Sequence, residues 1–95
     1  MPFVRLAWDE TKNLQLTRER GLSFEDVESA IELGKVLDDL PHPNALKYPN
    51  QRILVIEIDE FICIVPYVSD GEVRFLKTIY PSRKAAKTYR SKDSR

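Results

Sequence analysis

The stretch Gln51-Arg-Ile-Leu-Val-Ile-Glu-Ile-Asp-Glu-Phe-Ile-Cys-Ile-Val-Pro-Tyr-Val68 decides the fold of this 95-residue chain. Ile and Val dominate from Gln51 to Ile58 and again from Phe61 to Val68, and Asp59-Glu60 between them is a turn, so the stretch reads as two antiparallel strands. Ser69-Asp70-Gly71 turns the chain once more. Glu72 to Tyr80 then completes a three-stranded meander, with Pro66 expected at an edge or bulge.

Toward the N-terminus, Pro2 to Trp8 reads as a short first strand. Asp9 is a good N-cap for a helix running through Lys12, Leu14, Leu16 and Arg18 to a stop at Gly21. The apolar stripe of that helix is thin. A second helix is better marked: Ser23 is its cap, Asp26 stands three residues on, and Leu22 can staple against Val27. Phe24, Val27, Ala30 and Ile31 share one face, and Gly34 ends the run. Lys35 to Leu40 fits a short strand. From Pro41 to Pro49 three prolines in nine residues require a loop.

Beyond the meander, a final helix starts near Ser82 and continues through Ala85, Ala86 and Tyr89, with residues 91–95 expected to fray. The whole is one α+β domain spanning 1–95. It has a small antiparallel sheet, formed by the C-terminal meander and short N-terminal strands, two N-terminal helices on one sheet face and a basic C-terminal helix. The opposite sheet face is then where chemistry is expected.

Composition narrows the function classes. With 42% hydrophobic and 32% charged residues, three glycines and six prolines, the chain has the balance of a soluble folded protein. Its apolar runs are too short to span a bilayer, and Met-Pro-Phe-Val-Arg lacks the long apolar region of a signal peptide, so no membrane partner and a cytoplasmic location are expected. The one cysteine, Cys63, reads as a buried free thiol. One His and one Cys supply too few ligands for structural zinc, and no phosphate-binding glycine loop occurs, so neither a metal nor a cofactor is implied.

Net charge is zero but unevenly placed: from Glu72 onward eight Lys/Arg face two Asp/Glu, against seven and thirteen before it. The basic part includes Lys77-Thr-Ile-Tyr-Pro-Ser-Arg-Lys-Ala-Ala-Lys87, where Arg83 and Lys84 occupy the first turn of a helix. That end already carries partial positive charge, so cations there are unfavourable unless an anion binds. Lys87 and Arg90 extend the basic series, which also fits a solvated helix face. Alternation along the last strand aligns Lys77 with Val73, Phe75 and Ile79, and Lys77 interrupts that apolar row as Glu57 interrupts the row of Ile53 and Val55. Either the two project into a cleft, or Lys77 snorkels out at the end of the sheet or pairs with Glu57. Arg52 and Tyr67 read most simply as a solvated strand end and a half-buried aromatic, and His42 as an exposed or loop-packing histidine. An enzyme built from such residues works with Arg, Lys, Tyr and carboxylates. Cleavage of RNA by its own 2′-hydroxyl suits that set.

Three motifs resemble the BrnT toxins of bacterial type II toxin-antitoxin pairs, in the RelE-like group of small ribonucleases. They are Trp8-Asp9-x-x-Lys12 with Gly21-Leu-Ser-Phe-Glu-Asp26, Gln51-Arg52-Ile, and Ile79-Tyr-Pro-Ser-Arg83-Lys84-Ala85. Together they cover the chain from about Trp8 to Lys87 in order. The resemblance implies a RelE-like fold and a metal-independent endoribonuclease that cleaves messenger RNA and inhibits translation. It implies a cognate antitoxin that binds DNA, and RNA, free or on the ribosome, as substrate. On this reading Arg83 and Arg52 hold the scissile phosphate and Lys77 and Lys84 widen the anion site. Glu57, Tyr80 and His42 are candidates for proton transfer, and Lys87 and Lys12 contact RNA. The alternative is a non-catalytic module whose basic surface docks RNA, the ribosome or a partner protein.

Overall fold

The computed structural model describes residues 5–93, with side chains as far as Tyr89. In chain order the elements are β1 (Arg5–Trp8), α1 (Glu10–Arg20), α2 (Phe24–Glu32), β2 (Val36–Pro41), β3 (Gln51–Ile58), β4 (Phe61–Asp70), β5 (Val73–Leu76), β6 (Tyr80–Pro81) and α3 (Arg83–Asp93). The fold is α+β, as expected, but its sheet is larger: among the described residues it has six strands in the order β1-β5-β4-β3-β2, with β6 also paired to β4. The sheet is also mixed rather than antiparallel. β1 runs parallel to β5, Arg5 opposite Val73 and Trp8 opposite Leu76, where it supplies partners to the outer edge that the meander leaves open. Residues 2–4 of the expected first strand lie outside the described residues. α3 is assigned as far as Asp93, and residues 94–95 of the expected tail lie outside the described residues.

Local signals account for the first two helices. Asp9 caps α1 by accepting from the Thr11 N–H at 2.9 Å, and Gly21, at φ 68°, closes it with its N–H on the Thr17 carbonyl. Around α2 a full capping box forms, the Ser23 side chain accepting from the Asp26 N–H while the Asp26 carboxylate accepts from the Ser23 N–H. The thin stripe of α1 buries only Leu16 and Asn13. Asn13 is not packing filler: its carbonyl accepts from the Phe24 N–H at 2.7 Å and its amide donates to Glu25 at 2.8 Å, tying α1 to the start of α2. That amide bond holds the Glu25 carboxyl below its usual range.

Two apolar clusters sandwich the sheet. Leu16, Leu22, Phe24, Val27 and Ala30 pack on Leu54, Ile56, Ile58, Cys63, Val65, Tyr67, Leu76 and Ile79. Trp8 stacks on Phe24 with ring centroids 5.5 Å apart. On the reverse face Ala85, Ala86 and Tyr89 of α3 cover Val55, Ile62, Ile64 and Ile53. The face expected to be open for chemistry is therefore covered by the basic helix, because Ala85, Ala86 and Tyr89 give that helix an apolar side of its own.

The last strand of the meander is broken. Leu76 and Ile79 both enter the main core, yet three residues apart in a continuous strand they would face opposite sides. The chain resolves this by leaving the sheet over 77–79, where Arg20 of α1 donates to the Ile79 carbonyl at 2.6 Å.

Candidate functional site

The irregularity in β2 creates the most organised polar cluster among the described residues. Val36 lies opposite Ile56 and Asp38 opposite Val55, so one extra residue is inserted and the alternation shifts phase. The shift sends the neighbouring acids to opposite faces. Asp38 accepts from the Tyr89 hydroxyl of α3 at 2.7 Å on one side. Asp39 turns to the face of α1 and α2, beside Leu54 and diagonal to Arg52.

There four consecutive strands each contribute one side chain: Asp39 from β2, Arg52 from β3, Tyr67 from β4 and Arg74 from β5. Arg52 and Tyr67 are direct cross-strand partners. Arg52 donates from Nε to Asp39 Oδ1 at 3.1 Å and from Nη2 to the Asp39 carbonyl at 3.0 Å. The Tyr67 hydroxyl lies 2.8 and 2.9 Å from the two Asp39 carboxylate oxygens. Arg74 places its guanidinium 5.4 Å from the Tyr67 ring centroid, with Nη1 3.9 Å from Asp39 Oδ2. Tyr67 is buried in the main core, whereas Arg52, Arg74 and Asp39 keep 42%, 37% and 33% of their side-chain surface. The cluster is thus anchored in the core and open to solvent.

Charge follows from these contacts. The bond to Asp39 raises the Arg52 pKa further, so its charge is fixed. Burial first, and then the neighbouring Asp39 carboxylate, push the Tyr67 phenol up, so it stays protonated as a donor. The arrangement joins two cations, one carboxylate and one neutral hydroxyl, a set able to bind an anionic group and accept a proton beside it.

The expected site residues do not gather at one place. Arg52 is in the cluster, but Arg83 is not: the Ser82 N–H before it bonds the Ile62 carbonyl, five residues along β4 from Tyr67, or about 17 Å. Helix α3 also lies on the other sheet face, so Arg52 and Arg83 cannot share one phosphate in this fold. Arg83 instead lines a groove with Glu60, Phe61, Ile62 and Pro81. Lys84 and Lys87 are exposed along α3, and Ser82 caps that helix by accepting from the Ala85 N–H at 3.0 Å.

Lys77 and Glu57 do not meet either. Glu57 stands opposite Ile62, while the Lys77 N–H bonds the Pro66 carbonyl, four residues and about 13 Å away along β4. Lys77 lies in the break between β5 and β6 with its ammonium 5.5 Å from the Phe75 ring centroid. Tyr80 is exposed on β6 opposite Ile64, and Lys12 is half-buried on α1. His42 packs within its loop, accepting from the Asn44 N–H at 3.0 Å with its ring 4.7 Å from that of Tyr48.

Sequence reading missed Asp39 and Arg74 and set Tyr67 aside. A signal existed for Asp39: two adjacent acids in a strand must face both sides, which is unfavourable over apolar layers unless each finds a donor. Among the described residues no group of three or more His, Cys, Asp or Glu side chains is placed to hold a metal ion. No described helix is long and apolar enough to cross a membrane. Compared with known protein families, curated proteins and solved structures, the chain finds no match.

Proposed function

We propose that this protein is the BrnT-like toxin of a type II toxin-antitoxin pair, a cytoplasmic endoribonuclease that cuts messenger RNA without a metal and so blocks translation. The ordered motifs from Trp8 to Ala85 support the family, and the observation that carries the chemistry is the Asp39–Arg52–Tyr67–Arg74 cluster. Arg52 and Arg74 hold the scissile phosphate and its developing charge. Asp39, the acceptor of the cluster, takes the proton of the attacking 2′-hydroxyl. The products are a 2′,3′-cyclic phosphate and a 5′-hydroxyl whose oxygen is protonated by solvent. Tyr67 positions Asp39 and carries Arg74 on its ring. Arg83, Lys84 and Lys87 contact the RNA backbone away from the scissile bond, and a DNA-binding antitoxin covers the basic surface.

Incubation of purified protein with RNA in EDTA, beside Arg52→Ala and Arg74→Ala variants, tests this reading. Cleavage by the wild type, lost in both variants, is expected; equal activity in all three refutes the mechanism. One observation favours a non-catalytic RNA- or ribosome-docking module: Asp39 already accepts from Arg52 and Tyr67, as in a purely structural network. Growth arrest that survives replacement of both arginines would favour that second reading.

A further inference from the structure

Donor by donor, the cluster is unbalanced. Arg52 uses Nε and Nη2 on Asp39 and also interacts with the Tyr67 hydroxyl, while its Nη1 makes no hydrogen bond among the described residues. The Arg74 side chain makes none at all there: its nearest carboxylate oxygen is 3.9 Å off, and it is held by the Tyr67 ring instead. A guanidinium has five N–H donors, so most of the donor capacity of this pair is unused at a half-exposed surface. Two cations also share one carboxylate, an excess of positive charge that an anion would relieve.

From this we propose that Arg74 and the unbonded edge of Arg52 form a binding site for a phosphate-class anion, and that Asp39 is its internal counter-ion, competing with the bound anion for the same guanidiniums. The idea deepens the ribonuclease reading and rests on it only for the identity of the natural ligand. Asp39 then has two opposed effects. It repels the phosphate in the bound ground state and accepts the proton in the reaction, so removing its charge tightens binding while slowing turnover.

The Asp39→Asn substitution separates these effects while preserving shape, because the Asn amide oxygen still accepts from the Tyr67 hydroxyl and from Arg52 Nε. With inorganic phosphate as the probe and calorimetry as the readout, Asp39→Asn is expected to bind on the order of tenfold tighter than the wild type, and Arg74→Gln at least about tenfold weaker. Equal or weaker binding by a folded Asp39→Asn variant overturns the proposal, as does unchanged binding by Arg74→Gln. If Asp39→Asn does not fold, the wild type still decides. Phosphate titration followed by the arginine side-chain NMR signals must shift Arg52 and Arg74 ahead of Arg5 and Arg18, and a uniform response overturns the site. A parallel RNA assay keeps the two readings apart. The expected phosphate pattern in a protein that never cleaves RNA retains the anion site and removes the ribonuclease.

Discussion

The two ends of strand β4 carry arginine in contrasting settings. Near Tyr67, Arg52 gives two donors to Asp39, and Arg74 rests on a buried ring whose hydroxyl reaches the same aspartate. Near Ile62, Arg83 stands at the start of a helix that Ser82 already caps, beside Phe61, which is 60% exposed, and it makes no ion pair among the described residues. In sequence the second end is the more conspicuous, because its cations are consecutive. In space the first is the better site, because side chains from four strands converge with fixed orientation. Catalysis depends on orientation more than on the number of charges.

The strongest attempt to break this contrast is a side-by-side cleavage assay. Arg74→Ala is expected to lower kcat by about 100-fold or more, the scale of losing an oriented charge-stabilising donor. Arg83→Ala is expected to act mainly through KM and salt dependence, by less than about tenfold. The reverse ranking moves the proposed active site to the helix start.

Alkaline titration distinguishes the ends next. Cys63, near the Ile62 end, has its thiol pushed up from 9.0 to about 11 by burial, with Asp26 adding to the effect. A raised folded-state pKa means that the stability from this group is complete below about pH 9 and is lost as pH rises toward 11. The loss is about 3 kcal/mol. Tyr67, at the other end, adds a loss of the same sign that begins near pH 10, the usual range of the phenol. Urea unfolding at a series of pH values should show the decline starting near 9, and Cys63→Ala should delay its onset. A flat profile contradicts the burial of both groups.

Smaller effects sharpen the comparison. Tyr67→Phe keeps the ring under Arg74 but removes the hydroxyl bonded to Asp39, so it should destabilise by about 1–2 kcal/mol, read from the urea midpoint. At the far end, Asp59 and Glu60 form the β3–β4 turn with φ of 48° and 73°, a conformation that favours glycine at the second position. Glu60→Gly should therefore stabilise the fold by about 0.5–1 kcal/mol and leave RNA cleavage unchanged. A loss of cleavage would show that the turn belongs to the active surface.

How much was legible follows from the range of each interaction. The caps at Asp9 and Ser23, the stop at Gly21 and the β3–β4 pairing depend on neighbours within a few residues, and the sequence displays them directly. The division of the last strand was not legible, because alternation from Val73 to Ile79 looks continuous until one core must receive both Leu76 and Ile79. Arg52 was visible as a candidate, but its company was not. Asp39 lies 13 residues away and Tyr67 15, and their meeting depends on pairing register.

By itself, then, the sequence determined an α+β chain with two capped helices, a Val- and Ile-rich hairpin and a basic final helix, since these rest on periodicity, capping and turn chemistry. Only the tertiary structure decided that α3 covers the reverse sheet face, that β1 joins in parallel, and that a bulge in β2 turns Asp39 toward Arg52, Tyr67 and Arg74. The physical reason lies in the period of a strand. Inserting one residue exchanges its faces, and that choice is made by partners packed from elsewhere in the chain.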